Sequence, residues 1–340
     1  MSTTKVTSAE VAQRAGVSQS AVSRVFTPGA SASKKTVEKV RKAAEELGYR
    51  PNILARAMVS GKSRMIGLVV SYLENYFYPE ALEKLSNALQ GEGYHVLIFM
   101  ASQTAGNIDD VVAEILDYQV DGIIAASVAM SSNLAQRCRE AGVPIVLFNR
   151  SQAGQDFSTV ASDNFAGGRT VADFLTAGGH KRFGFIAGWE GASTQRDREA
   201  GYRKGLSEAG IELFARDVGN FRADEAREAA RRMFGGADRP DAIFVCNDHM
   251  AFAVMDVLRS ELGLSVPGDV SVVGYDDVPP AAWLAYDLTT IRQRANAMVE
   301  NTVRILLKQI EDPDTSPTQV AVEAPLVVRS SARIAEGWAA

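Results

Sequence analysis

Apolar positions in the first 50 residues recur at the three- and four-residue spacing of amphipathic helices, in three short groups. Val11, Ala12 and Ala15 mark one helix face. Thr7-Ser8-Ala9-Glu10 reads as a capping box, in which the Thr7 hydroxyl and the Glu10 carboxylate satisfy amides left free at a helix start. Gly16 ends that helix. Ser18 caps a second running through Phe26, with Val22, Val25 and Phe26 inward, and Pro28-Gly29 breaks the chain. Ser33 caps a third, whose Val37, Val40, Ala44 and Leu47 repeat until Gly48 stops it. Helix, tight glycine-containing turn, helix and supporting helix make the helix-turn-helix pattern.

Pro51 then opens an amphiphilic stretch, Asn52 to Ser60, ended by Gly61. It is too short to be a stable isolated helix and is the hinge candidate. From Met65 onward the apolar runs Ile66–Val70, Tyr94–Met100, Gly122–Ala126 and Pro144–Phe148 alternate with helical patterns such as Glu80–Gln90 and Asp109–Tyr118. A second series, Lys181–Ala187, Ala242–Cys246 and Val270–Tyr275, repeats the alternation, and Leu326–Arg329 reads as the last strand. Strands alternating with helices predict parallel sheets covered on both faces, here as two lobes with a ligand crevice between the strand ends.

Net charge sharpens this picture. The formal charge is -5 over 340 residues, but residues 1–62 carry 11 basic and 4 acidic side chains while residues 63–340 carry 25 and 37. A basic end on an acidic body predicts that only the N-terminal part meets a polyanion. No apolar run is long enough to span a bilayer, and the first residues have no apolar secretory core, so a cytoplasmic protein without membrane contact is expected. Cys138 and Cys246, both in apolar segments, read as buried thiols.

In the second helix, Gln19 and Ser20 stand where first-turn side chains meet base edges in the major groove. Gln pairs bidentately with adenine, and Arg24 with guanine. Ser18, Ser23, Ser33 and Thr36 are candidate phosphate donors, with Thr7 in the same headpiece. The plainer alternative makes the serines caps, and for Ser18 and Ser33 both roles are compatible.

The segment Val6-Thr7-Ser8-Ala9-Glu10-Val11-Ala12-Gln13-Arg14-Ala15-Gly16-Val17-Ser18, followed by Val22-Ser23-Arg24-Val25, resembles the headpiece of the lac/purine/galactose repressor (LacI/GalR) family. Lys39 through Asn52 is similar to that family's third helix and entry to the hinge, and the likeness continues from Ile66-Gly67-Leu68-Val69-Val70 nearly to the C-terminus. The resemblance implies an all-α headpiece at 1–50, a hinge at 51–62 and an effector-binding and dimerisation domain at 63–340. That domain is bilobed, like type I periplasmic binding proteins, with two doubly wound parallel sheets. Its N-lobe is about 63–162 and 292–322, and its C-lobe about 163–291 and 323–335. In such repressors paired hinge helices enter the minor groove and wedge an apolar side chain between base pairs. Met58 matches the wedge position, where better-known members carry Leu; Ala55 is small enough for close approach, and Arg56 and Asn52 reach groove edges or phosphate.

The resemblance also implies effector contacts. Phe77 and Tyr78 follow the first strand. The run Ser193 to Tyr202 puts Arg198 at a ligand position, with Thr194 in the same run. Phe221 matches an aromatic cover, and Asn247, Asp248 and Asp276 sit at carboxyl ends of strands. A forked guanidinium with Asn and Asp acceptors suits vicinal hydroxyls. Taken singly, Asp248 reads equally as a helix cap, Asp277 as a turn residue, Arg196 as a solvent-facing neighbour and Trp189 as a weaker candidate. An Arg196 facing the crevice implies an acidic or phosphorylated effector.

Cys246 and His249 lack a second metal-ligating pair, and the chain has no nucleophile elbow, phosphate loop or dinucleotide fingerprint, so no metal, cofactor or catalytic residue is expected. The expected function is a homodimeric repressor on palindromic double-stranded operator DNA, controlled by a carbohydrate-like small molecule. The chain ends soon after its last strand with no heptad tail, which predicts dimers. A sugar-binding transport component and a carbohydrate enzyme are the alternatives. The first disagrees with the basic headpiece, and the second lacks a catalytic constellation.

Overall fold

The structure is a computed structural model describing residues 6–27, 30–50, 62–101, 105–128, 132–152 and 157–338. The chain divides into two units, Met1–Arg64 and Met65–Ala340.

The first unit holds helices α1 (Ser8–Ala15), α2 (Gln19–Phe26) and α3 (Lys34–Leu47). The capping box forms: the Thr7 amide donates to Glu10 Oε2 at 2.7 Å and the Glu10 amide to Thr7 Oγ1 at 3.3 Å. Gly16 and Gly48 both close their helices at φ 65°, the left-handed region where a missing Cβ removes the steric cost. Burial then draws the three helices together. Val11, Ala12, Val22, Val40, Ala43 and Ala44 form the core, and Phe26 and Tyr49 pack at 5.9 Å beside it.

The second unit alternates strand and helix. β1 (Met65–Val70), α4 (Phe77–Gly91), β2 (His95–Met100), α5 (Ala105–Asp117), β3 (Gly122–Ala126), α6 (Ser132–Glu140), β4 (Ile145–Phe148) and β5 (Ser158–Ser162) build one lobe. The other lobe holds α7 (Asn164–Ala177), β6 (Phe183–Ala187), α8 (Ser193–Glu208), β7 (Ala215–Val218), α9 (Ala223–Phe234), β8 (Ala242–Val245), α10 (Asp248–Asp256), β9 (Ser271–Asp276) and β10 (Thr289–Arg292). The chain then returns through α11 (Ala295–Glu311) and β11 (Gln319–Val322) to the first sheet, and closes with β12 (Leu326–Val327) on the second.

The sheet orders are β11-β5-β4-β3-β1-β2 and β12-β10-β9-β8-β6-β7. All pairs are parallel except β10 with β12. In both sheets the order reverses beside the first strand of the lobe. Loops there splay apart and leave a crevice beyond the strands' carboxyl ends. The central strands are buried throughout, as parallel strands covered on both faces must be.

Several expected bounds shift. α4 begins at Phe77 rather than Glu80, α5 spans Ala105–Asp117 rather than Asp109–Tyr118, and the last strand is two residues long rather than four. Strands β5, β7, β10 and β11 were not expected, because Ser, Thr, Arg, Asp and Gln interrupt their apolar runs. Among the described residues, no helix is long and apolar enough to cross a membrane.

One packing detail governs the crevice. Helices α7 and α8 cross where Gly168 faces Gly201. A Cβ on Gly168 would sit 2.1 Å from the Arg198 carbonyl oxygen, and one on Gly201 would sit 2.0 Å from that of Phe165. Glycine at both positions permits this close approach of the helix that carries Arg198, and Gly205 on α8 meets Ala172 of α7 in the same way.

Candidate DNA-reading helix and ligand crevice

On α2, Val22 is buried while Ser18, Gln19, Ser20, Ser23 and Arg24 all face solvent, so the candidate DNA-contact residues of this helix share its outward side. Ser18 accepts the Ala21 amide at 3.2 Å and lies 3.0 Å from Ser20 Oγ. Gln19 Nε2 donates to Ser8 Oγ at 2.8 Å, which ties it to α1. Arg24 Nε donates weakly to the Ser20 carbonyl at 3.4 Å, and the side chain is exposed. The first turn of α2 carries no acidic residue, so its free amides present uncompensated positive potential. Ser33 and Thr36 cap α3, with Oγ and Oγ1 2.8 Å apart. Thr7, exposed, is engaged with Glu10 through both its amide and its hydroxyl. Asn52, Ala55, Arg56 and Met58 lie outside the described residues.

In the second unit the crevice is organised around Arg198. Its Nε donates to Asn164 Oδ1 at 2.8 Å and Nη1 to the Cys246 carbonyl at 2.6 Å. The guanidinium lies 3.5 Å from the centroid of the Tyr275 ring, and Nη2 is 3.6 Å from Asp276 Oδ1. Asn164 is held in turn by the Ser162 carbonyl at 2.8 Å. A cation buried this deeply persists only because each of its groups has a partner.

Asp276 ends β9 at φ 124°, followed by Asp277 at φ 57°, a backbone kink that turns the first carboxylate toward the crevice. Asp276 Oδ1 accepts from Gln293 at 2.7 Å, and Oδ2 accepts from Asn75 of the opposite lobe at 2.8 Å. Burial raises its pKa, opposed by Arg198, Asn75 and Gln293. Two further bonds cross between the lobes: the Ser151 amide donates to Ser193 Oγ at 2.9 Å, and Arg150 Nη1 donates to Thr194 Oγ1. The lobes thus bind each other through groups that also suit a polyol.

The other expected residues divide. Tyr78 lies in the crevice wall, its hydroxyl accepting from Asn149 Nδ2 at 3.2 Å. Asn247 caps α10 through Oδ1, while its buried Nδ2 has no partner among the described residues. Phe221, at φ 61°, packs its ring under Gly188, and Arg150 lies 6.0 Å from its centroid. Phe77 stacks on Phe148 at 6.2 Å and belongs mainly to the lobe core, although it lines, with Asp276 and Gln293, a cavity of about 410 Å³ that runs to the start of α11.

Asp248 is a correction. It is fully buried behind the crevice wall, with Oδ2 taking the Val278 amide at 3.0 Å and Oδ1 taking Thr290 Oγ1 at 2.6 Å. Burial first, and the Asp276 charge second, push its pKa up to about 8. It pins the turn that carries Asp276 and is not a ligand-facing group. Asp277 is spent on Arg292 and Arg329 at 2.5 and 2.6 Å. Arg196 turns to solvent and donates to the Glu190 and Gly191 carbonyls. Trp189 packs against Gly191. The Cys246 thiol, pushed up to about 11 by burial, donates to Gln195. Among the described residues, no His, Cys, Asp and Glu cluster suits a metal ion.

Asn75, Ser127, Asn149, Arg150 and Ser193 are crevice residues that the sequence reading missed. Ser127 and Asn149-Arg150 follow β3 and β4, so the strand-end rule already applied to Asn247 and Asp276 reaches them too.

Comparison with known proteins completes the picture. A family model described as bacterial regulatory proteins, lacI family, matches residues 7–52, and one for a periplasmic binding protein-like domain matches residues 172–332. The chain is similar to the HTH-type transcriptional repressor PurR of Vibrio vulnificus (strain CMCP6), at 30% identity over 95% of this chain and 98% of that one. It is also similar to the HTH-type transcriptional regulator CelR of Thermobifida fusca, at 34% identity over 94% and 96%. Among solved structures, a lac repressor dimer bound to operator and the anti-inducer ONPF matches with TM-score 0.87 and 28% identity over 96% of this chain and 99% of that one. A complex of the transcriptional regulator CelR with cellobiose matches with TM-score 0.72 and 32% identity over 96% and 100%.

Proposed function

This chain belongs to the lacI family of bacterial DNA-binding transcriptional regulators, and from that premise we propose that it is a cytoplasmic repressor switched by a sugar or sugar derivative. Two copies pair, and each headpiece reads one half-site of an approximately palindromic operator through Gln19, Ser20 and Arg24. Residues Asn52 to Met58 act at the operator centre as a hinge wedge. The effector sits between the lobes on Arg198, Asp276, Asn247 and Tyr78.

The observation that carries this reading is the set of direct bonds between opposite crevice walls, from Asn75 to Asp276 and from Ser151 to Ser193. A polyhydroxylated guest offers the same donors and acceptors, so it enters by replacing these bonds and changes the angle between the lobes as it does so. That movement biases the short hinge. A coupling of about 1–3 kcal/mol is enough to change operator affinity about 5- to 150-fold. The cellobiose complex of a similar regulator favours a carbohydrate guest, and the lac repressor dimer on its operator favours two copies on one site. Exposed apolar side chains fit such pairing: Leu284 is 100% exposed beside Trp283, and Ile98 and Met100 stand out on edge strand β2.

The test is selection of the intact chain on randomised duplexes. The expected result is an inverted repeat whose halves are read by α2, lost on Gln19→Ala with Arg24→Ala. Recovery of unrelated sequences only would remove the reading.

A further inference from the structure

Building on the crevice reading above, we propose that the effector carries a negatively charged group, a carboxylate or a phosphate, and that Arg150 receives it. Arg150 follows β4 and is buried, at 5% exposure. Its guanidinium hydrogen-bonds to neutral hydroxyls, Nη2 donating to Ser127 Oγ at 3.0 Å and Nη1 to Thr194 Oγ1 of the other lobe, with the Phe221 ring 6.0 Å away. Its Nε is buried and has no partner among the described residues. No carboxylate among the described residues pairs with it, in contrast to Arg292 and Arg329, which share Asp277.

A buried guanidinium with hydroxyl partners and a spare N–H is an expensive arrangement unless a charge arrives to complete it. Asp276 acts on Arg150 only from a distance, since its hydrogen bonds go to Asn75 and Gln293 and its ion pair to Arg198. Asp248 is sealed against Thr290 and Val278, and its raised pKa keeps it protonated at neutral pH. Among the described residues the crevice thus sets two guanidinium groups, Arg150 and Arg198, beside the Asp276 carboxyl. An anionic group seated on Arg150 also meets the Ser127 and Thr194 hydroxyls, both now held by the same guanidinium. The hydroxyl-bearing part of the guest then extends toward Asn247 and Asp276. Planar bidentate pairing of guanidinium with carboxylate or phosphate gives this assignment geometric selectivity as well as charge.

The experiment measures melting of the full-length protein with matched triplets: glucose, glucuronate and glucose 6-phosphate, and galactose, galacturonate and galactose 6-phosphate. Cellobiose and cellobionate form a further pair. Calorimetry follows for any member that raises the melting temperature. A uronate or sugar phosphate is expected to raise it while its neutral counterpart does not, and the preferred arm identifies carboxylate or phosphate. Arg150→Gln is expected to weaken acid binding about 10- to 100-fold, with Arg150→Lys between the two. Without ligand, Arg150→Gln loses the bonds to Ser127 and Thr194 but also an unpaired buried charge, so it should melt no lower than wild type, which separates the effect from misfolding. If neutral and acidic members bind equally and Arg150→Gln changes neither, the charge assignment is wrong while sugar sensing stands. If no member of any set shifts the melting temperature, sugar sensing and the assignment fall together.

Discussion

Substituting Gly201 by Ala probes the helix crossing that presents Arg198. The added Cβ would lie 2.0 Å from the Phe165 carbonyl oxygen and 3.0 Å from the Arg169 amide, and ordinary contact begins at 3.4 Å. α8 must therefore retreat from α7 by about 1.4 Å, since both obstacles are backbone. Such a shift stretches the 2.8 Å bond from Arg198 to Asn164 beyond hydrogen-bonding range. Overpacking of this kind costs about 1–3 kcal/mol, and leaving part of a buried guanidinium unsatisfied costs about 1–3 kcal/mol more. For a body of this size the sum lowers the melting temperature by on the order of 5–10 °C. Differential scanning calorimetry reads the loss, and titration of the effector-dependent change in operator affinity reads its consequence. The headpiece, a separate unit, should keep its non-specific DNA affinity. Because Gly168 lines the same crossing, Gly168→Ala combined with Gly201→Ala should cost less than the sum of the two. Wild-type melting together with a wild-type effector response in Gly201→Ala would refute the argument, as would strict additivity.

Three further outcomes are expected. The raised pKa of Asp248 means that the folded protein holds a proton the unfolded chain releases, so this stabilising contribution is full below about pH 4 and is lost as pH rises toward about 8. Asp248→Asn mimics the protonated carboxyl, with its oxygen for Val278 and its amide for Thr290. Its melting advantage over wild type should be small at pH 5 and grow toward pH 9; a difference that does not change with pH would remove the burial argument. Arg24→Ala, which removes an exposed cation of α2, should cost about 1–3 kcal/mol on the selected operator and much less on scrambled DNA, read by fluorescence anisotropy. Leu284→Glu places a charge on the fully exposed apolar position and should shift sedimentation toward monomer; an unchanged dimer would put the interface elsewhere.

Much of this molecule was legible in the chain. The caps Thr7, Ser18 and Ser33 and the stops Gly16 and Gly48 act locally, so their chemistry marks the headpiece helices without knowledge of tertiary contacts. Long buried strands such as β3 were equally clear, while β7 and β10 were not, because their stability comes from neighbours rather than from their own apolar runs. At the crevice, Arg198 and Asp276 were found through family likeness. Arg150 was missed because its significance lies in which partners it lacks, and only three dimensions reveal that. Asp248 illustrates the converse. Its position after β8 matches a ligand-facing pattern, but a Cβ on Gly274 would come within 2.2 Å of its Oδ1, so the missing side chain there makes room for the carboxyl to turn inward.

The account turns on a guest between two lobes altering the protein's grip on one DNA sequence. The most direct measurement is the affinity of the intact chain for its selected duplex and for a scrambled one, each with and without the sugar that most raises the melting temperature. Cognate affinity should change about 5- to 150-fold with the sugar while scrambled affinity stays constant. Arg198→Ala should abolish that change and leave sugar-free cognate binding intact. Equal affinity for both duplexes in every ligand state would contradict the account, and so would a tightly bound sugar that moves neither.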